Sequence, residues 1–156
     1  MLLGCKNAML FYPASTPTPA QRLSDLDGTD ARLLEVERPD GRLLTGYDAR
    51  PVGGADTPVL LVFHGNAGNA AYRAPWLRHV VRESGLRVVL ASYSGYGGNE
   101  GSPSETEIYA DALAFHDHLT AAGVPAESIG SIASTMPSRR SGPCPARPWF
   151  GTCGSS

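Results

Sequence analysis

Residues 58–69 read PVLLVFHGNAGN, a run of apolar side chains that passes directly into a cluster of glycine and asparagine. The block Val59 to Phe63 shows no alternation of polar and apolar residues, which is typical of a strand buried on both faces of a parallel sheet. Glycines let the backbone turn sharply and present amide N–H groups without an obstructing Cβ. The stretch therefore predicts a buried strand that ends in a loop able to face a ligand.

A second unit of the same kind follows. The apolar block Leu86 to Leu90 leads into another glycine-rich loop, SYSGYGGNEG at residues 92–101. Between the two units, the segment from about Pro75 to Glu83 carries an amphipathic helical pattern. Because ligands bind beyond the carboxyl ends of parallel strands, both loops are predicted to lie on the functional edge of one sheet.

The flanking segments complete an α/β pattern. Two short strand-like runs, 32–37 and 42–47, flank an Asp-Gly turn and predict a hairpin. Ser104 and Glu107 form a capping box ahead of a second helix, and residues 127–133 have the composition of a third parallel strand. We therefore predict the α/β class, with a hairpin followed by parallel strands that crossover helices connect.

Periodicity divides the chain into three parts. Residues 1–30 are predicted to be a lead-in segment at the surface, since their Pro-, Ser- and Thr-rich portion has no apolar period. Residues 31–133 are predicted to be a partial α/β domain. Residues 134–156 have neither a helical nor a strand period and are rich in Arg, Pro, Ser and Gly. This abrupt change motivates the hypothesis that the tail is an irregular, frameshifted or truncated remnant of a longer sequence.

Composition excludes several classes of partner. The 156 residues are 42% hydrophobic and 18% charged, with a formal net charge of −2, as expected for a globular domain. Because there is no basic field, nucleic acid is not an expected partner. The three cysteines, Cys5, Cys144 and Cys153, form neither a disulfide framework nor a zinc pattern. The side chains of His116 and His118, two residues apart on a helix, are expected to point in different directions, and His79 is expected to be an ordinary surface histidine. No metal site is therefore predicted.

The residues alone leave four uses of the first loop. A phosphate-binding P-loop needs a following Gly-Lys-Ser/Thr, which is missing, and a dinucleotide fingerprint would need a glycine where Glu100 stands. An oxyanion hole would turn a loop amide toward the charge of a tetrahedral intermediate. A glycine turn without any ligand is the fourth use. The first two are disfavoured, so no cofactor is predicted, and the last two stay open at this point.

The order of these loops, with Tyr109-Ala-Asp-Ala112 on the second helix, resembles the α/β-hydrolase superfamily. The likeness is to its branch of small serine hydrolases with an HGN loop, a D-Y-R-G-Y-G loop and a Y-x-D-A helix. It covers about residues 9–130. The resemblance implies the N-terminal half of an α/β-hydrolase fold, and hydrolysis of esters, thioesters or related acyl bonds through an acyl-enzyme.

The resemblance also carries specific residues. It implies that the backbone N–H of Asn66 belongs to an oxyanion hole, while His64 and Gly65 shape the loop. Ser92 and Ser94 stand where this branch usually has Asp and Arg. We therefore expect the second loop to lack an ion pair that would brace it.

The nucleophile of the family is not recognisable. Ser134 falls nearly in register with it, but Ile132 and Met136 occupy the glycine positions of the G-x-S-x-G elbow, and neither triad acid nor base is identifiable. We therefore predict a hydrolase-family protein that is truncated before its nucleophile elbow and inactive alone. The alternative is a non-catalytic binding or structural module.

Partners and location follow from the same resemblance. A small-molecule acyl or ester substrate is expected if the protein is intact. Relatives often carry an N-terminal membrane anchor, and residues 1–9 are interpreted as the end of such an anchor. No stretch of the sequence reaches the ~18 apolar residues of a membrane span. Location in the cytoplasm or at a membrane surface therefore stays open.

Overall fold

The computed structural model describes residues 10–56 and 58–133. In chain order, its strands are β1 (Tyr12–Pro13), β2 (Asp30–Glu37), β3 (Leu43–Arg50), β4 (Val59–Phe63), β5 (Ala67–Gly68), β6 (Arg87–Ala91) and β7 (Ile129–Ala133). The α-helices are α1 (Ala74–Ser84) and α2 (Glu105–Ala121), and short 3₁₀ helices span Ala20–Leu26, Ala70–Arg73 and Ala126–Ser128.

Five of the strands form one mixed sheet in the order β2-β3-β6-β4-β7. Strand β4 is parallel to both β6 and β7, whereas β3 is antiparallel to β2 and β6. Helix α1 connects β4 to β6, and helix α2 connects β6 to β7. The predicted α/β class, with a hairpin followed by parallel strands and crossover helices, is confirmed.

The central strands are buried on both faces, as their unbroken apolar sequences predict. Along β6, Val89 packs in a core with Phe115 of α2, while Val88 and Leu90 pack in a second core with Leu77 of α1. Successive side chains of a strand point to opposite faces, so one strand contributes to both cores. The sheet is therefore a middle layer between the two helices.

Close packing of β3 against β6 depends on Gly46. A Cβ at this position would lie 2.5 Å from the carbonyl oxygen of Leu90 and 3.3 Å from the ring of Phe115. The glycine thus lets β3 join the parallel strands while helix α2 packs directly over it. This junction attaches the hairpin to the sheet.

The segment before the hairpin lies mostly at the surface, but a few buried contacts anchor it to the sheet and to α1. Leu26, at the end of the 3₁₀ helix Ala20–Leu26, is only 1% exposed and lies in the α1 core. The Tyr47 hydroxyl donates to the carbonyl of Pro19 at 2.9 Å. A short 3₁₀ helix has no sustained apolar period, which explains why sequence patterning did not indicate it.

Strand β7 lies at the edge of the sheet. Its first residue, Ile129, is buried, but Ile132 is 52% exposed. The tail predicted to be irregular, residues 134–156, lies outside the described residues together with residues 1–9, so that hypothesis stays a prediction. In the described part of the chain, neither helix has the length and hydropathy needed to span a bilayer.

Candidate active-site loops

The two glycine-rich loops start side by side. Strands β4 and β6 are parallel neighbours with Phe63 opposite Ala91, so His64 and Ser92 both leave the sheet at its carboxyl edge. The imidazole of His64 contacts the rings of Tyr93 and Tyr96 edge-on, with both centroid distances at 4.8 Å. The loops therefore form one packed unit, at the edge where the sequence predicts a functional site.

Asn66, the residue implied for the oxyanion hole, is anchored on three sides. Its carbonyl oxygen accepts hydrogen bonds from the Tyr12 N–H at 2.8 Å and the Tyr96 hydroxyl at 2.9 Å. Its side-chain amide donates to the carbonyl of Leu10 at 2.6 Å. Within residues 10–56 and 58–133, the backbone N–H of Asn66 has no hydrogen-bond acceptor. The loop thus combines a fixed backbone with an available donor.

Asn69 closes the first loop and begins the helical segment that follows. Its Oδ1 accepts from the N–H of Tyr72 at 3.3 Å, which caps the short helix Ala70–Arg73. Its Nδ2 donates to the carbonyls of Ala14 and Pro17, both at 2.9 Å. This asparagine is therefore a structural residue, which ties the loop to the segment before the hairpin.

His64 is a buried, neutral histidine. Its Nδ1 lies 2.7 Å from the carbonyl oxygen of Gly65, and a carbonyl can only accept, so the ring proton is on Nδ1. Burial lowers the pKa of His64 from 6.5 to about 4, against the opposing effect of this hydrogen bond. Its Nε2 is buried and has no partner among the described residues. Leaving a buried acceptor unpaired typically costs about 1–3 kcal/mol.

The turn of the second loop is held by the buried side chain of Asn99. The Nδ2 of Asn99 donates to the carbonyls of Ser92 at 2.9 Å and Tyr93 at 3.2 Å. Its Oδ1 accepts from the N–H of Thr45 at 3.1 Å and from the hydroxyl of the same residue at 2.8 Å. One buried side chain therefore holds both ends of the loop turn and fastens them to strand β3.

Ser94 is also braced, although it lacks the arginine expected at this position. Its N–H and hydroxyl donate to the two carboxylate oxygens of Asp111 on helix α2, at 2.7 Å and 3.0 Å. The guanidinium that pairs with Asp111 comes from Arg38, in the hairpin turn, at 2.5 Å. The expectation of an unbraced loop is therefore corrected, because another element supplies the cation.

The Arg38–Asp111 pair is deeply buried. Asp111 is 0% exposed and Arg38 is 8% exposed. Burial raises the pKa of Asp111, while its hydrogen bonds from Ser94 and the charge of Arg38 oppose that shift. Arg38 also contacts Glu107 at 2.6 Å on the side nearer to solvent. The hairpin turn, the second loop and helix α2 thus share one electrostatic junction.

Arg38 was not identified from the sequence as a residue of the site region. It is 73 residues from Asp111, and its Arg-Pro-Asp-Gly setting indicates only a turn. The available signal was indirect, since Asp111 lies one helical turn from the apolar residues Ile108 and Phe115. A carboxylate on a core-facing stripe needs a cation, and Ser94 could not provide one.

The other sequence candidates lie apart from the loops. His79 is exposed on α1, and His116 lies beside Asp117 on α2, with 3.1 Å between Nδ1 and Oδ1. Among the described residues, no group of three His, Cys, Asp or Glu side chains could hold a metal ion. Ser134 lies outside the described residues, so its relation to the loops stays a prediction.

Curated relatives share this part of the chain. An uncharacterized protein of Mycobacterium tuberculosis is 37% identical over 112 residues, which cover 72% of this chain and 38% of the relative. Protein bem46 of Schizosaccharomyces pombe is 40% identical over 70% of this chain and 38% of its own length. The α/β-hydrolase domain-containing protein WAV2 of Arabidopsis thaliana is 43% identical over 40% of this chain and 20% of its own length. No protein-family model matches the chain.

Solved structures share the fold. Esterase Pf2001 of Pyrococcus furiosus superimposes with a TM-score of 0.58 at 22% identity, over 80% of this chain and 46% of the esterase. A bacterial heroin esterase gives a TM-score of 0.56 at 24% identity, over 84% of this chain and 47% of that protein. The chain thus spans less than half the length of each of these proteins. Over that part it has the α/β-hydrolase fold, and the curated proteins that it resembles include ones named as α/β-hydrolase domain-containing proteins.

Proposed function

We propose that this chain supplies the oxyanion-binding half of a serine hydrolase that cleaves ester, thioester or related acyl bonds. The observation that carries the proposal is the backbone N–H of Asn66, which has no acceptor among the described residues although its residue is anchored by Leu10, Tyr12 and Tyr96. A fixed amide at the carboxyl edge of a parallel sheet can donate to a developing oxyanion without reorganising during the reaction.

The proposed role of the chain is limited to this donor. In this fold the triad acid and histidine follow the nucleophile along the chain. No Asp and no His follow His118, and Ser134 is flanked at two residues by Ile132 and Met136 in place of elbow glycines. We therefore expect the 156-residue chain to bind an oxyanion mimic without turning over an ester.

Binding is tested with butylphosphonate, a tetrahedral anion, added to the ¹⁵N-labelled chain. Saturable shifts of the Asn66 amide signal are expected in the native protein. The matched variants are Asn66→Ala, which keeps the backbone N–H, and Asn66→Pro, which removes it. The neighbouring amides of Gly65 and Ala67 should respond to the probe in the alanine variant and not in the proline variant. Equal responses in both variants would exclude the Asn66 amide as the donor.

Turnover is tested separately on the same chain. Hydrolysis of p-nitrophenyl butyrate and labelling by a fluorophosphonate are both expected to be absent, with esterase Pf2001 as the positive control. Labelling at Ser134 would overturn the proposed lack of activity. None of the observations specifically favours the alternative role as a binding or structural module.

A further inference from the structure

We propose that His64 acts as a positioning residue that orients and polarises the Gly65–Asn66 peptide group, so that the Asn66 N–H is presented as a donor. The inference rests on the proposed oxyanion role of that amide and goes beyond it, because it assigns a task to the buried imidazole. The observation behind it is the hydrogen bond from His64 Nδ1–H to the Gly65 carbonyl, at 2.7 Å.

The direction of the Asn66 N–H follows from peptide geometry. The carbonyl of Gly65 and the N–H of Asn66 belong to one planar peptide group, in which they point in opposite directions when the bond is trans. Among the described residues, the cis peptide bond precedes Pro17, so the bond before Asn66 is trans. By holding the carbonyl toward its own ring, His64 therefore directs the amide proton away from the ring.

The second peptide group that meets at Asn66 is fixed from the other side. Its carbonyl accepts from both Tyr12 and Tyr96, and the Asn66 side chain is bound to Leu10. With both adjoining peptide planes anchored, the orientation of the Asn66 amide is strongly restricted. The side chain of His64 binds the peptide group that carries the Asn66 N–H.

The same hydrogen bond strengthens the donor. A donor that binds a carbonyl oxygen polarises the whole peptide group, which makes the N–H of that group more positive. The imidazole is 3% exposed and packed edge-on against Tyr93 and Tyr96, so its ring cannot rotate freely. Burial also keeps the ring neutral, since it lowers the pKa of His64 to about 4. The ring therefore remains a single, fixed Nδ1–H donor at neutral pH.

A purely structural role for His64 predicts a different response of the Asn66 amide to substitutions of His64. If the imidazole only filled space, any side chain of similar volume would leave the Asn66 amide unchanged. If it acts through the peptide, the amide should follow the presence of a donor at the Nδ1 position. His64→Asn keeps a donor close to that position, whereas His64→Leu removes the donor and keeps apolar volume. His79→Asn, at an exposed position of α1, is the matched control.

The first measurement uses the native chain at neutral pH. Long-range ¹H–¹⁵N correlation of the His64 ring should show a proton on Nδ1 and a bare Nε2. A ring that carries its proton on Nε2 would overturn the inference without any variant. This measurement does not depend on butylphosphonate binding, so it separates the present inference from the proposed function.

The second measurement compares the variants by the Asn66 amide signal and by butylphosphonate titration. His64→Leu should move the amide proton upfield and weaken probe binding roughly tenfold, as expected for one lost hydrogen bond, while His64→Asn restores most of both. Equal probe affinity in the native chain and in His64→Leu would overturn the positioning role and leave the oxyanion role intact. The Asn66 amide signal of the native chain could fail to shift with the probe and yet shift when the His64 donor is removed. That result would overturn the oxyanion role and support the orienting contact. If His64→Leu does not fold, the asparagine variant and the ring tautomer still decide.

Discussion

The two glycine-rich loops at the carboxyl edge differ in what they do with their hydrogen-bonding groups. In the loop after β4, Asn66 is held by contacts from three other residues, and its own N–H has no acceptor among the described residues. In the loop after β6, the polar side chains of Ser94 and Asn99 are buried and hydrogen-bonded. The first loop presents a donor, and the second supports it.

The second loop also needs glycine to form its backbone. Gly95 has φ of 81°, and a Cβ there would lie 2.7 Å from Pro103, so the second loop uses glycine to fold tightly on itself. In the first loop, Gly65 precedes the donor amide and has the carbonyl that His64 binds. A rigid support and an available donor together are what preorganised charge stabilisation requires.

Disrupting the support should have the largest effect. Arg38→Met leaves the buried Asp111 carboxylate without its cation, and breaking such a pair from one side typically destabilises a protein by about 3 kcal/mol or more. We expect this loss in the free energy of unfolding, measured by urea denaturation. Arg42→Met is the matched control, because its side chain is 27% exposed and pairs with the partly exposed Asp40 and Glu107. Its effect should stay below about 1 kcal/mol.

The double variant Arg38→Met/Asp111→Leu makes this expectation specific. Removing both charges avoids an isolated buried ion, so the double variant should be more stable than the sum of the two single effects predicts. Strict additivity would show that Arg38 and Asp111 do not act as a pair. That result would leave the hydrogen bonds from Ser94 to Asp111 as the brace of the second loop.

The parts of this region that depend on residues close in the chain were predictable from the sequence. The strand Val59–Phe63 and the N-cap at Ser104 were predicted from local patterns, and both are confirmed. The roles of Arg38 and Asn99 depend on contacts across 73 and 54 residues, which no local period encodes. Asn66 was implied by resemblance, but its anchoring by Leu10 and Tyr12 was not, because residues 1–30 were expected to lie at the surface.

A change of pH tests the first loop through His64. The pKa of this histidine is about 4 in the folded chain, against 6.5 for an unperturbed imidazole. Between these values the unfolded chain binds a proton that the folded chain does not, so acidification favours unfolding. The contribution of neutral His64 is fully present above pH ~6.5 and is lost toward pH ~4, by on the order of 3 kcal/mol in total.

Comparing the native chain with His64→Leu separates the effect of His64 protonation on the free energy of unfolding from that of the carboxylates, which titrate in both proteins. The difference between their free energies of unfolding should shrink as pH falls from 6.5 to 4 and then level off. Urea denaturation at half-unit pH steps gives the curve. A difference that is constant over this range would mean that the folded chain accommodates the imidazolium as well as the unfolded chain does.

The smallest expected effect comes from the Tyr96 hydroxyl, which joins the supporting loop to the presenting loop. Tyr96 is fully buried, and burial raises the pKa of its hydroxyl to about 12, so it keeps the proton that it donates to Asn66. Tyr96→Phe removes this donor alone. The Asn66 carbonyl retains the Tyr12 N–H, so we expect a loss of only about 1 kcal/mol in the free energy of unfolding.

The informative measurement is local. The ¹⁵N order parameter of the Asn66 amide should fall in Tyr96→Phe, because one of two bonds that fix the adjoining peptide is gone. Tyr72→Phe is the control, since that exposed hydroxyl contacts the carbonyl of Thr16 at 3.4 Å, outside the first loop. If both variants leave the Asn66 order parameter unchanged, the hydroxyl bond does not restrain the presenting loop. Its rigidity would then come from Tyr12, Leu10 and His64, and the second loop would act only by packing against the imidazole.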